Sequence, residues 1–376
     1  MSIQENQSSP LRPFPNVLGT IGWTPLIHLA SISDEIGIPV YAKVEAYNPG
    51  HSAKDRIALY MVEKAEREGR LQPGGTLIEA SSGNTGYSLA MVAALKGYKT
   101  LITVPSKISK EKLNLLKAMG AEVEICPKEA APEDPRSYYS RAVALSKEIP
   151  NSCYLDQNHH LANSEAHYHS TGPEIWEQTE GKVTHFLCAS GTGGTISGTA
   201  RYLKEMNPSV KVIGIDAYGS VLKKYHETNE FHQDEIYSNT LEGVGKSIIP
   251  GNTDFQIIDE YVKAADRESA LCARQIAREE GLLVGYSSGA VLAGLYKMMD
   301  TLQPEDCVVL LFSDHGSRYL SKIFDDDWMT AQGFLDQPEK KRAPRTTPEP
   351  AVQKPSIRER VVATFRELAA SANLLP

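Results

Sequence analysis

A lysine stands at the start of a predicted helix, in the stretch NPGHSAKDRIALYMVEKAEREG of residues 48–69. Asn48, Pro49 and Gly50 form a turn, and an amphipathic run follows Lys54. The helix macrodipole disfavours a cation at this end, whereas a neutral amine is tolerated there. Lys54 is therefore either one surface lysine among many or a nucleophilic amine that the turn and the helix hold in place.

Two loops of small and polar residues follow predicted strands, which is where α/β proteins bind ligands. Residues 81–86 (SSGNTG) and residues 191–195 (GTGGT) each open a helix, so their free N–H groups could bind an anion, or each could be an ordinary turn. The second loop imitates a dinucleotide fingerprint, with Asp216 near the place of a ribose-binding acid. Ile196 replaces the third glycine, however, so a single phosphate monoester fits this loop better.

A third loop, LEGVGKSII, ends like a P-loop in Gly245-Lys246-Ser247. Thr240 stands where a P-loop needs glycine, and Glu242 lies where the triphosphate would bind, so we exclude a nucleotide triphosphatase. Two anion-binding loops and one lysine instead predict a ligand with a phosphate, a carboxylate and an aldehyde. Pyridoxal phosphate joined to an amino acid supplies all three groups.

Composition narrows the class of protein. The 376 residues carry a formal charge of −8, which argues against nucleic acid or an anionic membrane as the partner. No apolar stretch approaches the roughly 18 residues of a membrane helix, and the first residues lack a signal-peptide pattern. The five cysteines are scattered without a Cys-x-x-Cys pair, which favours a cytoplasmic protein. The histidine-rich stretch NHHLANSEAHYH lacks acidic and cysteine ligands at fitting spacing, so we expect no metal site.

The elements that must position these residues alternate between strands and helices. Apolar runs such as GGTLIEAS, VTHFLCAS and CVVLLFSD predict strands, and segments such as YSLAMVAALKG predict helices between them. This alternation predicts an α/β fold with mostly parallel sheets, and the length predicts about two domains. Residues 331–356 are predicted to form a Pro- and charge-rich linker, and residues 357–376 an amphipathic helix. That helix is expected to dock on its own dimer or on a protein partner.

Four motifs carry a resemblance to a known family. SAKDR, SSGNTG, GTGGT and YSSGA, in this order, resemble the fold-type II pyridoxal-phosphate enzymes of the cysteine synthase/cystathionine β-synthase family. The likeness runs from about residue 21 to residue 329, and it is greatest to the bacterial cystathionine β-synthase-like members. The resemblance implies two domains, each with a mostly parallel twisted sheet flanked by helices.

The resemblance also implies domain boundaries and residue roles. Residues 1–47 would be shared between the domains, residues 48–157 would form a smaller mobile domain, and residues 158–330 a larger domain that binds the cofactor phosphate. The implied cofactor-binding residues are the Schiff-base lysine Lys54, together with Asn84, Gly191, Thr192, Gly193, Gly194, Thr195 and Ser287. The implied substrate-binding residues are Ser81, Ser82, Gly83, Thr85, Gln157, Tyr168, Gly243 and Gly245. Lys54 would also be the catalytic base.

The implied reaction is β-replacement on L-serine or an activated serine, through an aminoacrylate intermediate and with a thiol or another nucleophile. The favoured reaction converts serine and homocysteine to cystathionine and water in a cytoplasmic homodimer. The alternatives are a cysteine synthase that uses O-acetylserine and sulfide, a specialised enzyme with another nucleophile, and a catalytically silent binding partner. Trp23 replaces the family's usual asparagine in IGWTPL, so we expect it to change the pocket shape or the choice of substrate.

Overall fold

The computed structural model describes residues 13–335 and contains two sheets. The large sheet has the strand order β1-β2-β10-β7-β8-β9, and the small sheet has the order β5-β4-β3-β6. All neighbouring strands are parallel except β1, which is antiparallel to β2. The predicted mostly parallel α/β architecture is thus confirmed.

The strands are short and largely buried. Their bounds are β1 Leu26–His28, β2 Val40–Val44, β3 Thr76–Ala80, β4 Lys99–Pro105, β5 Glu122–Cys126, β6 Ser152–Tyr154, β7 His185–Ala189, β8 Lys211–Ala217, β9 Glu260–Ala264 and β10 Val308–Phe312. Every residue of β10 is buried, because helices cover both faces of a central parallel strand.

Helices flank both sheets. Their bounds are α1 Ala30–Ile36, α2 Lys54–Arg67, α3 Asn84–Lys96, α4 Lys110–Ala118, α5 Tyr138–Glu148, α6 Ala162–Tyr168, α7 Thr171–Gln178, α8 Gly194–Met206, α9 Leu222–Thr228, α10 Asp266–Glu279, α11 Tyr286–Met298 and α12 Asp326–Ala331. Short 3-10 turns include Glu45–Tyr47 and Gly316–Tyr319. No described helix combines the length and the apolar character that crossing a membrane requires.

The N-terminal segment contributes to both halves of the molecule. Ile21 packs in one core with residues of α2 and α3, whereas β1 and β2 extend the large sheet beside β10. The strands of the small sheet all lie between residues 76 and 154, inside the predicted smaller domain. The domain boundaries themselves remain predictions, and the predicted C-terminal helix and most of the predicted linker lie outside the described residues.

Candidate active site

A cavity of about 620 Å³ lies where the carboxyl ends of strands from both sheets face each other. Its walls come from the loops after β3, β7 and β10 and from residues 239–246. Parallel strands place the loops that follow them along one edge, which explains why motifs distant in sequence meet here. Every predicted site residue except Gly194 and Tyr168 lines this cavity, which we call the cleft.

Lys54 begins α2 and reaches the cleft from an anchored backbone. The N–H of Ala53 donates to the carbonyl oxygen of Ser313 at 2.9 Å, and Ser52 forms an antiparallel bridge with Asp314. The Nζ atom of Lys54 has no hydrogen bond or ion pair with any described residue. Burial lowers the pKa of Lys54, because the surrounding protein disfavours the charged amine. The lysine is thus an unpaired amine that is easier to deprotonate than a surface lysine.

Residues 191–195 form a cradle at the N-terminus of α8. A Cβ atom added to Gly193 would lie 1.9 Å from Oγ1 of Thr253, and one added to Gly194 would lie 2.0 Å from Oδ1 of Asn163. Both of these oxygen atoms are buried and have no hydrogen-bond partner in residues 13–335. The backbone N–H groups of residues 191–195 also have no acceptor among the described residues. Free donors at the start of a 13-residue helix are the setting that binds phosphate.

The loop of residues 81–86 is braced from within and from Gln157. Oγ of Ser81 accepts from the N–H groups of Gly83 at 3.4 Å and Gly86 at 3.2 Å, so this side chain shapes the loop. Oγ1 of Thr85 donates to Oε1 of Gln157 at 2.6 Å. The N–H groups of residues 82, 84 and 85 have no acceptor in the described part of the chain. These three donors give the cleft a second place for an anion.

Asn84 is held by a buried carboxylate. Its Nδ2 donates to Oδ2 of Asp314 at 2.9 Å, and the hydroxyl of Tyr319 donates to the same oxygen at 2.8 Å. Burial raises the pKa of Asp314, and no described residue hydrogen-bonds its Oδ1 atom. The N–H of Gly285 donates to the carbonyl oxygen of Asp314 at 2.9 Å, two residues before Ser287. Asp314 therefore connects the segments that carry Lys54, Asn84 and Ser287.

The loop of residues 240–246 covers the glycine cradle. Gly243 and Gly245 adopt φ values of +81° and +78°, which side chains disfavour. A Cβ atom on Gly191 would lie 3.0 Å from the carbonyl oxygen of Gly243, and the N–H of Gly245 donates to the carbonyl oxygen of Ser190 at 2.7 Å. Ser287, at the start of α11, is buried and its hydroxyl has no partner among the described residues.

The structure places two of the residues singled out in the sequence outside the cleft. Tyr168 lies outside the cleft, where its hydroxyl donates to Oε2 of Glu205 at 2.7 Å. Its neighbour His167 points inward instead and hydrogen-bonds Oγ1 of Thr195 at 3.1 Å. The two side chains diverge because adjacent residues of a helix point about 100° apart. Trp23 adopts φ +44°, is 41% exposed and does not line the cleft. An effect of Trp23 on the choice of substrate stays a prediction.

Asp314 was given no role from the sequence, and Lys246 was noted only as part of the rejected P-loop. A polar residue directly after a fully apolar strand, as in VVLLFSD, was a usable signal for Asp314, because ligands bind at strand ends. Asp216, by contrast, is a structural residue: its Oδ2 pairs with Nζ of Lys263 at 2.9 Å and accepts from the N–H of Lys223 at 3.0 Å. Its structural role agrees with rejecting the dinucleotide site.

Comparison with known proteins decides the family. Residues 17–314 match the family described as pyridoxal-phosphate dependent enzyme. The chain belongs to this family. Cystathionine β-synthase of Apis mellifera is 45% identical over 323 residues, which are 85% of this chain and 63% of that protein. The enzyme of the same name from Dictyostelium discoideum is 42% identical over 85% of this chain and 64% of its own length. The chain thus spans less than two thirds of these two relatives.

This chain covers a larger share of the length of some other relatives. Cysteine synthase 1 of Neurospora crassa is 39% identical over 84% of this chain and 85% of its own. Among solved structures, an O-ureido-L-serine synthase aligns with a TM-score of 0.76 and 30% identity, over 85% of this chain and all of that one. A hydrogen sulfide-producing enzyme from Fusobacterium nucleatum aligns with a TM-score of 0.75 and 33% identity, over 82% of this chain and all of that one. The resemblance seen in the motifs is confirmed.

The cleft fits the cofactor of this family. The unpaired amine of Lys54 suits an aldehyde, and the free N–H groups of residues 191–195 suit a phosphate. The orphaned Oγ1 of Thr253 lies beside this cradle, where a phosphate oxygen would give it a partner. The free hydroxyl of Ser287 and the amide of Asn84 line the space between the two.

Proposed function

We propose that this protein performs β-replacement on L-serine or an activated serine, and that its preferred reaction joins serine and homocysteine to give cystathionine and water. One observation carries the proposal. The unpaired amine of Lys54 and two separate sets of free N–H groups line the same cleft. The two cystathionine β-synthases that match most of this chain support the choice of reaction.

Each wall of the cleft has its own task in this proposal. Residues 191–195 would hold the cofactor phosphate, Asn84 would face the ring hydroxyl, and Ser287 would face the ring nitrogen. Bound pyridoxal phosphate supplies an electron-accepting ring that acidifies the α-proton of an amino acid and lets the β-substituent leave. The neutral hydroxyl of Ser287 brings no negative charge to stabilise a protonated ring nitrogen, which favours prompt loss of the β-substituent.

Lys54 has two roles in the proposal. Its Nζ atom would hold the aldehyde end of the cofactor in the resting enzyme, and the same amine would take the proton from Cα of a bound amino acid. Burial lowers the pKa of Lys54, so a larger fraction of the amine is ready to accept that proton. The N–H groups of residues 82, 84 and 85 would hold the α-carboxylate and set the Cα–H bond towards Lys54.

The chemistry balances without a further reagent. The β-hydroxyl of serine leaves with a proton as water, and the sulfur of homocysteine loses a proton as it bonds to the serine Cβ. Gly243 and Gly245 would let the backbone lie close to the reacting groups, since neither carries a side chain.

A second reaction is favoured by one comparison. Cysteine synthase 1 of Neurospora crassa is covered over 85% of its length, so O-acetylserine and sulfide are the alternative pair of substrates. The test is to incubate the purified holoenzyme with each amino-acid donor and each nucleophile, and to identify products by mass spectrometry. Cystathionine from serine and homocysteine at the highest kcat/KM supports the preferred reaction; cysteine from O-acetylserine and sulfide favours the alternative. Failure of every pair would contradict β-replacement.

We also propose that the enzyme is a cytoplasmic homodimer. Its N-terminal segment exposes large apolar side chains, a feature typical of surfaces that a second copy covers. These side chains, which are 41–62% exposed, are Phe14, Val17, Trp23 and Tyr47. Light scattering coupled to size exclusion should give twice the chain mass of 41.3 kDa, and a monomer would contradict the dimer.

A further inference from the structure

We propose that Lys246 binds a second anionic group of the reactants, in addition to the amino-acid α-carboxylate. This inference rests on the proposed function, since it assigns a specificity to the same cleft. The anionic group belongs either to the leaving group of the amino-acid donor, as in a phosphate ester, or to the incoming nucleophile, as in a thiol with a carboxylate.

The backbone of Lys246 is fixed on both sides. Its N–H donates to Oγ of Ser220 at 2.9 Å, and its carbonyl oxygen accepts from the N–H of Val221 at 3.0 Å. The preceding Gly245 packs so closely that an added Cβ atom would lie 2.6 Å from the Cβ of Ser220. These contacts hold the residue at the wall of the cleft, which its half-buried side chain lines.

The ammonium group of Lys246 is unpaired within residues 13–335. It makes no hydrogen bond or ion pair with any residue that the structure describes. Glu242, the acid nearest in sequence, is already paired with Lys112 and Lys322. Burial lowers the pKa of Lys54, and the positive charge of Lys246 lowers it further, in agreement with the place of Lys246 in the wall of the cleft. An unpaired, partly buried cation facing a substrate cavity indicates an anionic ligand group.

The charge balance of the whole cleft points the same way. Apart from Lys54, five basic side chains and two carboxylates line it within the described part of the chain, although the chain as a whole carries a net charge of −8. The basic side chains are Lys107, Lys112, Lys246, Arg318 and Lys322, and the carboxylates are Glu242 and Asp314. A concentrated positive potential in an acidic protein draws anionic substrates into that cleft.

The other anions of the reaction already have partners elsewhere. The free N–H groups of residues 191–195 suit the cofactor phosphate, and those of residues 82, 84 and 85 suit the α-carboxylate. Lys246 comes from the loop that is anchored to Ser190, on the side of the large sheet, whereas residues 82–85 follow β3 of the small sheet. Lys246 is therefore available for a group that neither loop holds.

The test compares neutral and anionic reactants in Lys246→Met, with Lys246→Arg and Lys117→Met as matched variants. Lys117 is exposed, does not line the cleft and changes the net charge equally. On the donor side, O-phospho-L-serine is compared with L-serine; on the nucleophile side, 3-mercaptopropionate is compared with 2-mercaptoethanol. We expect Lys246→Met to raise KM about tenfold or more for the anionic member of one pair, because charged hydrogen bonds contribute that much.

The neutral member of that pair and the cofactor dissociation constant should stay unchanged, and Lys246→Arg should keep most of the anion preference. A rise in KM that is confined to O-phospho-L-serine would assign the anionic group to the leaving group. A rise confined to 3-mercaptopropionate would assign it to the nucleophile. Equal changes for both members of each pair, no change at all, or a weaker cofactor complex would overturn the proposal.

A binding measurement separates this proposal from the proposed function. Calorimetry on the wild-type holoenzyme and on Lys246→Met gives dissociation constants for each reactant without turnover. If wild-type protein forms no product from any pair, β-replacement fails, and calorimetry still decides the role of Lys246. Anion binding that is weakened only in Lys246→Met supports the subsite, and equal binding in both proteins refutes it.

Discussion

Asp314 is the residue that organises the cofactor side chains, since it contacts Asn84 and Tyr319 and its backbone contacts the segments of Lys54 and Ser287. Asp314→Asn should weaken binding of pyridoxal phosphate to the apoenzyme about tenfold, because a buried charged acceptor is lost. Tyr319→Phe keeps the carboxylate and its bond to Asn84, so it should weaken binding less. Fluorescence of Trp328, which lines the cleft, would report the titration. Equal affinity of Asp314→Asn and wild type would contradict the role given to Asp314.

Glu79 makes the free energy of unfolding depend on pH. Burial raises the pKa of Glu79 from its ordinary 4.5 to about 8, and its carboxylate accepts from the N–H groups of Ala80 and Gln157. Because the folded pKa lies above the unfolded one, its contribution to stability is fully present below pH 4.5 and is lost as pH rises through 8.

Glu79→Gln should therefore flatten the decline in the free energy of unfolding between about pH 5 and pH 8. Urea unfolding at several pH values measures this decline in the variant and the wild type. Parallel curves for the two proteins would show that Glu79 ionises normally in the folded state.

At the residue scale, the residues that carry the chemistry were easier to predict from the sequence than the contacts between them. Lys54 and the two loops were recognisable because their residue types and their positions after strands are local features. The motif placed Tyr168 near the substrate, because a matched motif does not show which way a side chain points. In the helix, His167 points inward and Tyr168 points away from the cleft. The partnership of Asp314 with Asn84 joins residues 230 positions apart, which no local pattern encodes.

At the scale of elements, three segments meet at Glu242, on the loop between α9 and β9. Its carboxylate pairs with Lys112 of α4 and with Lys322 after the turn Gly316–Tyr319. This contact ties α4, beside the small sheet, to loops of the large sheet at the rim of the cleft. Because both ion pairs are partly buried, they are expected to stabilise the position of α4 more than exposed pairs would.

Glu242→Gln should release α4 and speed amide hydrogen exchange in residues 110–118, with no change in β7 and β8. Glu305→Gln, an exposed site with no ion pair among the described residues, serves as the control. Exchange measured by mass spectrometry would show the difference. Unchanged exchange in α4 would mean that other contacts hold the helix in place.

Elements with strong patterns were predicted well, and short ones were not. The buried runs of β3, β7 and β10 and the helix α3 agree closely with the sequence prediction. β1 and β6 have three residues each, too few to show a period. β9 has the sequence EYVKA, and its charged residues made it hard to predict as a strand. The structure shows that one of them, Lys263, pairs with Asp216.

At the scale of the whole molecule, a buried charge network joins three parts of the chain. Arg56 of α2 donates to Glu45 after β2 at 2.6 Å and to Glu174 of α7 at 2.6 Å, and Lys43 pairs with Glu174 at 2.6 Å. Burial alone would raise the pKa of Glu45 and Glu174, but Arg56 holds both below the ordinary value. The network lies two residues from Lys54, so it also fixes the start of α2.

Arg56→Met should destabilise the protein by about 3–5 kcal/mol, because it leaves two buried carboxylates without their main partner. Arg67→Met, at an exposed position of the same helix, should change the free energy of unfolding by no more than about 0.5 kcal/mol. Denaturant titration of both variants measures the difference. A loss at Arg56 no greater than that at Arg67 would contradict a structural role for the network.

The measurement that tests the account most directly is borohydride reduction of the holoenzyme followed by peptide mapping. Reduction makes the bond between the cofactor and its lysine permanent, so mass spectrometry identifies the residue. We predict the adduct on the peptide that contains Lys54, and none on that peptide in Lys54→Ala, which should fold but form no product. An adduct on another lysine such as Lys246, or coloured protein without an adduct on Lys54, would contradict the proposed active site.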